Sequence, residues 1–386
     1  MSQCNTTFDE IAHRVGDFTC RDAPAVVHLR NPFALSNATL PVLELMMVAG
    51  AVFALWWAIR RLRREGDATN LVLWFASIVY LLSIEIPLYF PDVFGVQDHV
   101  GVVFAHNVFT VQFLFERLPL YIVALYPAVA TLAYEIVRAF GVFRDRGLVV
   151  GAVCVGFVHH CFYEVFDQLG PQLRWWAWNT DNKLNHPMLV SVPMTSVVIF
   201  AALGPAVLVL LVTRLVRAGR KYSAPGLLWR MVIAGALVPI GVAVLSIPFS
   251  LFGGERPNFT AQAVVFTIEL VAIAAVAIPV LLRQWQAGRS ESNRFVVVFG
   301  PVYLVVLAAM WLTALPAYFA AADGVTAAGT PIGNLAYALV SLVLAALCVA
   351  GVGFSAAHHD QAAVDRNQLA GDETGALTAQ ERQGGP

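Results

Sequence analysis

Residues 39–59 read TLPVLELMMVAGAVFALWWAI, and Arg60, Arg61, Arg63 and Arg64 follow at once. Crossing a hydrocarbon core of about 30 Å takes about 20 helical residues, so this stretch is long enough to span a bilayer. The arginines at its end mark the side that stays in the cytoplasm. Comparable apolar stretches follow near 70–90, 118–138, 147–167, 188–213, 227–251, 261–282, 295–319 and 332–354. The alternating pattern of a membrane barrel is absent, and an open sheet edge cannot exist in hydrocarbon, so each stretch is expected to be an α-helix. The fold class is therefore all-α, a polytopic integral membrane bundle of nine transmembrane helices.

Composition agrees with this reading. Of the 386 residues 59% are hydrophobic and 13% charged, with a mean hydropathy of +0.70; a soluble domain carries about 25% charged residues. The net charge of -1 offers no basic face for nucleic acid. Lys183 and Lys221 are the only lysines, and with the excess of Ala and Val this points to a GC-rich bacterial genome and a multi-pass protein of the plasma membrane.

The basic residues alternate from loop to loop. Arg138, Arg144 and Arg146 follow the third span, Arg214, Arg217, Arg220, Lys221 and Arg230 flank the 5–6 loop, and Arg283, Arg289 and Arg294 flank the 7–8 loop. The intervening loops carry only Arg117, Arg174, Lys183 and Arg256. This bias places the N-terminus outside and the C-terminus in the cytoplasm.

Residues 1–38 then form an extracytoplasmic segment, 39–354 the membrane domain, and 355–386 a Gly-, Gln-, Asp- and Glu-rich cytoplasmic tail expected to be disordered. The opening segment lacks the basic-then-apolar start of a signal peptide and is expected to be translocated with the first span. Cys4 and Cys20 both fall outside, where a disulfide could persist; two unpaired thiols are the alternative. No internal repeat suggests a two-fold transporter architecture.

Ionisable residues within spans cost several kcal/mol and usually face the bundle interior. At 1.5 Å per residue, Glu85 lies roughly 8 Å, His160 roughly 10 Å and Glu269 roughly 12 Å below the outer surface. His160, Glu164 and Asp167 recur at i, i+4 and i+7 and share one helix face, with His159, Tyr163 and Phe166 on the adjoining stripe. Acids from three spans are thus expected to converge in the outer half. Glu85, Asp167, Glu164 and His160 are the candidate catalytic groups. Tyr163, His159, Phe166, Trp176, Trp178, Glu269, Tyr89 and His106 are candidates for lining a substrate pocket.

An imidazole and carboxyls on one face can do acid–base work, and aromatic faces attract cations such as a carbocation formed by protonating an alkene. The structural alternative is that His159 or His160 bridges two helices by a hydrogen bond and that the aromatics, Trp175, Trp176 and Trp178 among them, are interfacial anchors. Glu116–Arg117 reads as a rim ion pair. His160 and Glu164, joined by His99 or His106, would be a possible metal set. A single His-His pair falls short of the histidine boxes of di-iron membrane enzymes, so no metal is expected. No phosphate loop, Cys-x-x-Cys pair or haem motif is present, and no cofactor is expected.

Two stretches carry a resemblance. Glu85 is followed by an aromatic-rich loop, Pro119-Leu120-Tyr121, Tyr126-Pro127 and Ala133-Tyr134; Asp167-x-x-Gly170-Pro171 is followed by Trp176-x-Trp178 and Val192-Pro193. Over residues 80–205 this order resembles the carotenoid biosynthesis membrane proteins that include the fifty-carbon carotenoid hydratase, and more distantly the integral-membrane terpene cyclases. The family's Thr-Gly-x-x-Phe-Gly-x-Tyr stretch is absent, and Gly170 stands where its second acid falls. The resemblance implies acid roles for Glu85 and Asp167 and an isoprenoid substrate entering from the lipid.

The expected function is a membrane-embedded enzyme on an isoprenoid or other long apolar lipid, performing acid-initiated addition or cyclisation as a hydratase or cyclase would. A proton-coupled transporter or lipid-handling protein is one alternative, and a non-catalytic assembly partner is another.

Overall fold

The computed structural model describes residues 4–288 and 290–353. The expected cytoplasmic tail with His358, His359 and Asp360 lies outside the described residues, as does Arg289. Among the described residues nine helices are long and apolar enough to cross a membrane: α2 (Thr39–Glu65), α3 (Thr69–Tyr89), α4 (Leu120–Ala139), α5 (Val142–Asp167), α6 (Ser196–Leu215), α7 (Ala224–Leu245), α8 (Phe259–Gln286), α9 (Arg294–Phe319) and α10 (Leu335–Gly353). A shorter helix, α1 (Thr6–Gly16), precedes them.

Burial sorts the nine. In α4, 83% of the most apolar stretch is buried inside the protein, against 17% in α8, so α4 is central and α8 peripheral. α5 is the second most enclosed span. Small side chains let the central helices approach closely. A Cβ on Gly156 of α5 would stand 2.7 Å from the Ala202 carbonyl of α6.

Helix boundaries follow proline and glycine. Gly147 has φ +81°, which breaks α5 where the apolar run begins. The fifth span starts later than the hydropathy suggests. Residues 188–193 form a hairpin, β6 (Met188–Leu189) and β7 (Val192–Pro193), instead of the first turns of a helix. Pro187 precedes the segment and Pro193 ends it, and neither has the N–H that a helix interior needs.

Short strands close one end of the bundle. β1 (Val27–Leu29), β3 (Val111–Phe113) and β4 (Leu118–Pro119) make one sheet, and β2 (Phe104–His106) pairs with β5 (Trp176–Trp178) in another. Asn5 caps α1 by accepting the Thr7 and Phe8 N–H groups. Phe8, Ile11, Ala12 and Val15 recur at helical spacing and bury one face of α1 against Val102, Ala105 and Ala177. A Cys4–Cys20 disulfide encloses α1. The opening segment is thereby part of the cap.

The opposite end carries Arg61 and Arg138. There Glu135 of α4 accepts from Asn70 of α3 at 2.7 Å, from its own neighbour Arg138 at 2.9 Å, and from Asn293 at the start of α9. Arg61 of α2 pairs with Asp67 at 2.9 Å. Burial would raise the Asp67 carboxyl, but hydrogen bonds from the Thr69 hydroxyl and N–H, with Arg61 beside it, hold it below its ordinary value.

Candidate active site

α3, α4, α5 and α6 enclose a cavity beneath the cap. Its volume is about 30 Å³, room for about two water molecules. Glu85 of α3 and Asp167 of α5 both line it. One oxygen of each is held: Tyr126 donates to Glu85 Oε1 at 2.8 Å, and Ser196 donates to Asp167 Oδ2 at 2.7 Å. Glu85 Oε2 and Asp167 Oδ1 are buried with no hydrogen-bond partner among the described residues.

The roof is the strand pair β2–β5. Its register sets Phe104 opposite Trp178, Ala105 opposite Ala177, and His106 opposite Trp176. Side chains alternate between the two faces of a strand. Phe104, His106, Trp176 and Trp178 therefore line the cavity, while the two alanines meet α1. Tyr163 and Phe166 complete the aromatic wall, with Phe166 and Trp176 rings 5.0 Å apart.

His106 joins two tyrosines, meeting the Tyr89 hydroxyl through Nε2 at 3.1 Å and the Tyr121 hydroxyl through Nδ1 at 3.0 Å. Burial pushes this imidazole down to about 3, so it stays neutral at physiological pH. Tyr89 ends α3 one turn above Glu85. Its carbonyl accepts from Arg117, whose guanidinium also lies 4.2 Å from the Phe8 ring centre. Burial lowers Arg117 to about 10. Glu116 turns the other way, to His28 and Arg30, so the expected Glu116–Arg117 pair gives place to those contacts.

The expected face of α5 divides in two. Asp167 lies about 20° around the helix from His160 and about 40° from Tyr163, and Ser196 draws it to the Tyr163 side. His160 and Glu164 do not line the acid cavity. His160 Nδ1 donates to the Val197 carbonyl at 2.9 Å, and Tyr337 donates to its Nε2 at 2.7 Å. Glu164 accepts from Gln168 at 2.9 Å, and its other oxygen stands 4.0 Å from His160 Nδ1.

His159 Nδ1 donates to the Ala201 carbonyl at 2.7 Å. A carbonyl cannot donate, so both histidines carry the proton on Nδ1. The carbonyls they meet belong to a π-helical stretch, Ser196–Leu203, at the start of α6. In a regular helix Ala201 would bond to the N–H of residue 205, which is Pro205. His159 supplies the missing donor. It also lines a second small cavity with Tyr80 and Tyr126, which shares Tyr163 and Phe200 with the first.

Glu269 of α8 is absent from the lining of the acid cavity. Its Oε2 is buried without a hydrogen-bond partner among the described residues. The expected convergence of acids from three spans is therefore a pair, Glu85 and Asp167.

Comparison with known proteins finds no matching family model, no similar curated protein and no similar solved structure.

Several contributors escaped the sequence reading. Tyr126 is named only within the resemblance, with no site role, yet a hydroxyl within an apolar span could have been singled out on that ground. Ser196, Phe104 and Phe200 carried no local signal; long-range packing alone brings them in. Glu44, an acid in the first span, was open to detection, but it holds the cap by accepting the Thr110 and Val111 N–H groups at 2.9 and 3.1 Å. Trp175, expected at the headgroup boundary, is fully buried and donates to Thr39 Oγ1 at 2.8 Å.

Proposed function

We propose that this protein is a membrane-embedded acid–base enzyme acting on an isoprenoid or other long unsaturated lipid, with Glu85 and Asp167 as its two proton-transferring groups. One observation carries the reading. Two buried carboxyls from different helices face one aromatic-walled cavity, and each keeps an oxygen uncommitted. A protonated carboxyl delivers its proton to one alkene carbon; the O–H bond breaks, a C–H bond forms, and the neighbouring carbon becomes a carbocation. The faces of Phe104, Phe166 and Trp176 stabilise that charge. The second carboxylate removes a proton from an adjacent carbon, completing an isomerisation or cyclisation without net change in protons.

The arginine bias supports a cap on the outer side, with the site serving the outer leaflet. A proton-coupled transporter fits less well, because a relay must reach both faces. On α4, residues 127–132 below Tyr126 are apolar apart from Thr131.

Glu85→Gln and Asp167→Asn keep shape and remove the transferable proton. Returned to a deletion strain, each is expected to abolish the lipid or pigment product that the wild type restores. Full restoration by both variants would overturn the enzyme reading in favour of an assembly role.

A further inference from the structure

The acid cavity admits only the reacting end of a molecule, so the remainder of any substrate must lie elsewhere. Trp176 and Trp178 also line a second chamber, with a volume of about 630 Å³. That is the size of a small-molecule site. Helix α1, the β6–β7 hairpin and the connection between α9 and α10 supply its other walls.

The chamber is rich in donors. Arg14 and Arg174 both line it, and Asp323 is the one acidic residue in its lining. Arg174 Nη2 donates to the Ala328 carbonyl at 2.5 Å, one of its five N–H groups. Ser191 is 5% exposed, and its Oγ has no hydrogen-bond partner among the described residues. The Trp176 and Trp178 indole N–H groups likewise have no hydrogen-bond partner among the described residues. Met188, Val190 and Ile332 add an apolar flank.

The backbone at this chamber is strained. Arg174, Val190 and Asp323 have φ of +57°, +59° and +50°. A β-branched residue in that region is unusual, and such conformations gather at binding sites. A pure hydrocarbon would leave the donors desolvated and unpaired.

We infer that the substrate is an amphiphile, a prenyl chain bearing an acceptor-rich anionic head such as a phosphate, whose head sits among Arg14, Arg174 and Ser191 while its chain passes the Trp176–Trp178 wall into the acid cavity. This rests on the reading of Glu85 and Asp167 as the reacting groups and narrows its substrate class.

The test uses the full chain in nanodiscs and equilibrium binding of farnesyl phosphate, farnesol, inorganic phosphate and lysophosphatidic acid. Farnesyl phosphate is expected to bind about tenfold or more tightly than either farnesol or inorganic phosphate. Arg14→Gln and Ser191→Ala, alone and with Arg174→Gln, should each weaken farnesyl phosphate and leave farnesol unchanged. Equal affinity for farnesol and its phosphate would overturn the head site. Equal affinity for lysophosphatidic acid would overturn the prenyl chain. Glu85→Gln and Asp167→Asn should retain binding, so a failure of the acid–base reading shows in lipid profiles alone, whereas a failure here shows in binding alone.

Discussion

Replacing His159 by Leu should destabilise the protein, and Pro205 should be the reason. The Ala201 carbonyl is buried within α6 and receives the His159 Nδ1–H at 2.7 Å. Pro205 cannot provide the amide that a regular turn would offer. Without the imidazole the carbonyl is left in a dry interior, which costs about 1–3 kcal/mol. Hydrogen bonds between membrane helices measure nearer 0.6 to 1.7 kcal/mol, so a loss of about 1–2 kcal/mol is expected. His159→Asn places an amide N–H close to where Nδ1 stood and should recover most of it. Pro205→Ala restores a backbone donor, so the His159→Leu cost should fall by about half or more in the Pro205→Ala background, a coupling that a double-mutant cycle reads directly. The assay is denaturant unfolding in micelles of the four proteins of that cycle. Simple additivity would refute the account of His159 as the substitute for a proline's missing N–H.

Other outcomes follow from the cap and the helix contacts. His106 has a folded-state value of about 3 against an ordinary 6.5. The unfolded chain therefore takes up the proton first, and stability should fall as pH drops below about 6.5, by at most about 1.4 kcal/mol per unit. His106→Gln should flatten that slope relative to wild type in pH-dependent unfolding; an unchanged slope would exclude His106 as its source. Reducing the Cys4–Cys20 bridge, which spans 16 residues of sequence, should cost the cap about 3 kcal/mol. It should appear as faster amide exchange at 104–106 and 176–178 with α4 unaffected. Gly204→Ala would place a Cβ 2.2 Å from the Tyr80 hydroxyl and should destabilise by about 1–3 kcal/mol. Tyr80→Phe should relieve that cost in the double variant.

Helix number and position were legible because hydropathy over twenty residues is a strong signal that tertiary contacts rarely override. Legibility failed where the signal was short. Met188, Leu189, Val190 and Val192 are as apolar as any helical turn, and only the flanking prolines disclose the hairpin. The face of α5 was read at the correct period, yet Asp167 falls between two stripes, and period alone cannot say to which it turns. Ser196, far away in sequence, decides it. The roof was least legible of all, since three-residue strands from loops some seventy residues apart give no periodicity to read. Its alternation of alanine with Phe104, His106, Trp176 and Trp178 acquires meaning only once the pairing is known.

Hydrogen-bond satisfaction separates the buried acids into those that hold the fold and those available for chemistry. Glu44 receives a backbone N–H on each oxygen, and Glu135 is engaged on both of its own. Removing either would strand several donors, so they belong to the scaffold. Glu85, Glu164, Asp167, Glu116 and Glu269 each keep one buried oxygen without a hydrogen-bond partner among the described residues, which is costly in an apolar interior. An unsatisfied oxygen alone does not mark a site. Glu116 contacts Arg30 and His28, Glu164 faces His160 and Gln168, and Glu269 lies on the least enclosed helix. Of these five acids, Glu85 and Asp167 alone line a shared cavity with aromatic walls. A cavity shared by these two acids is what favours them over the other three for the proposed chemistry.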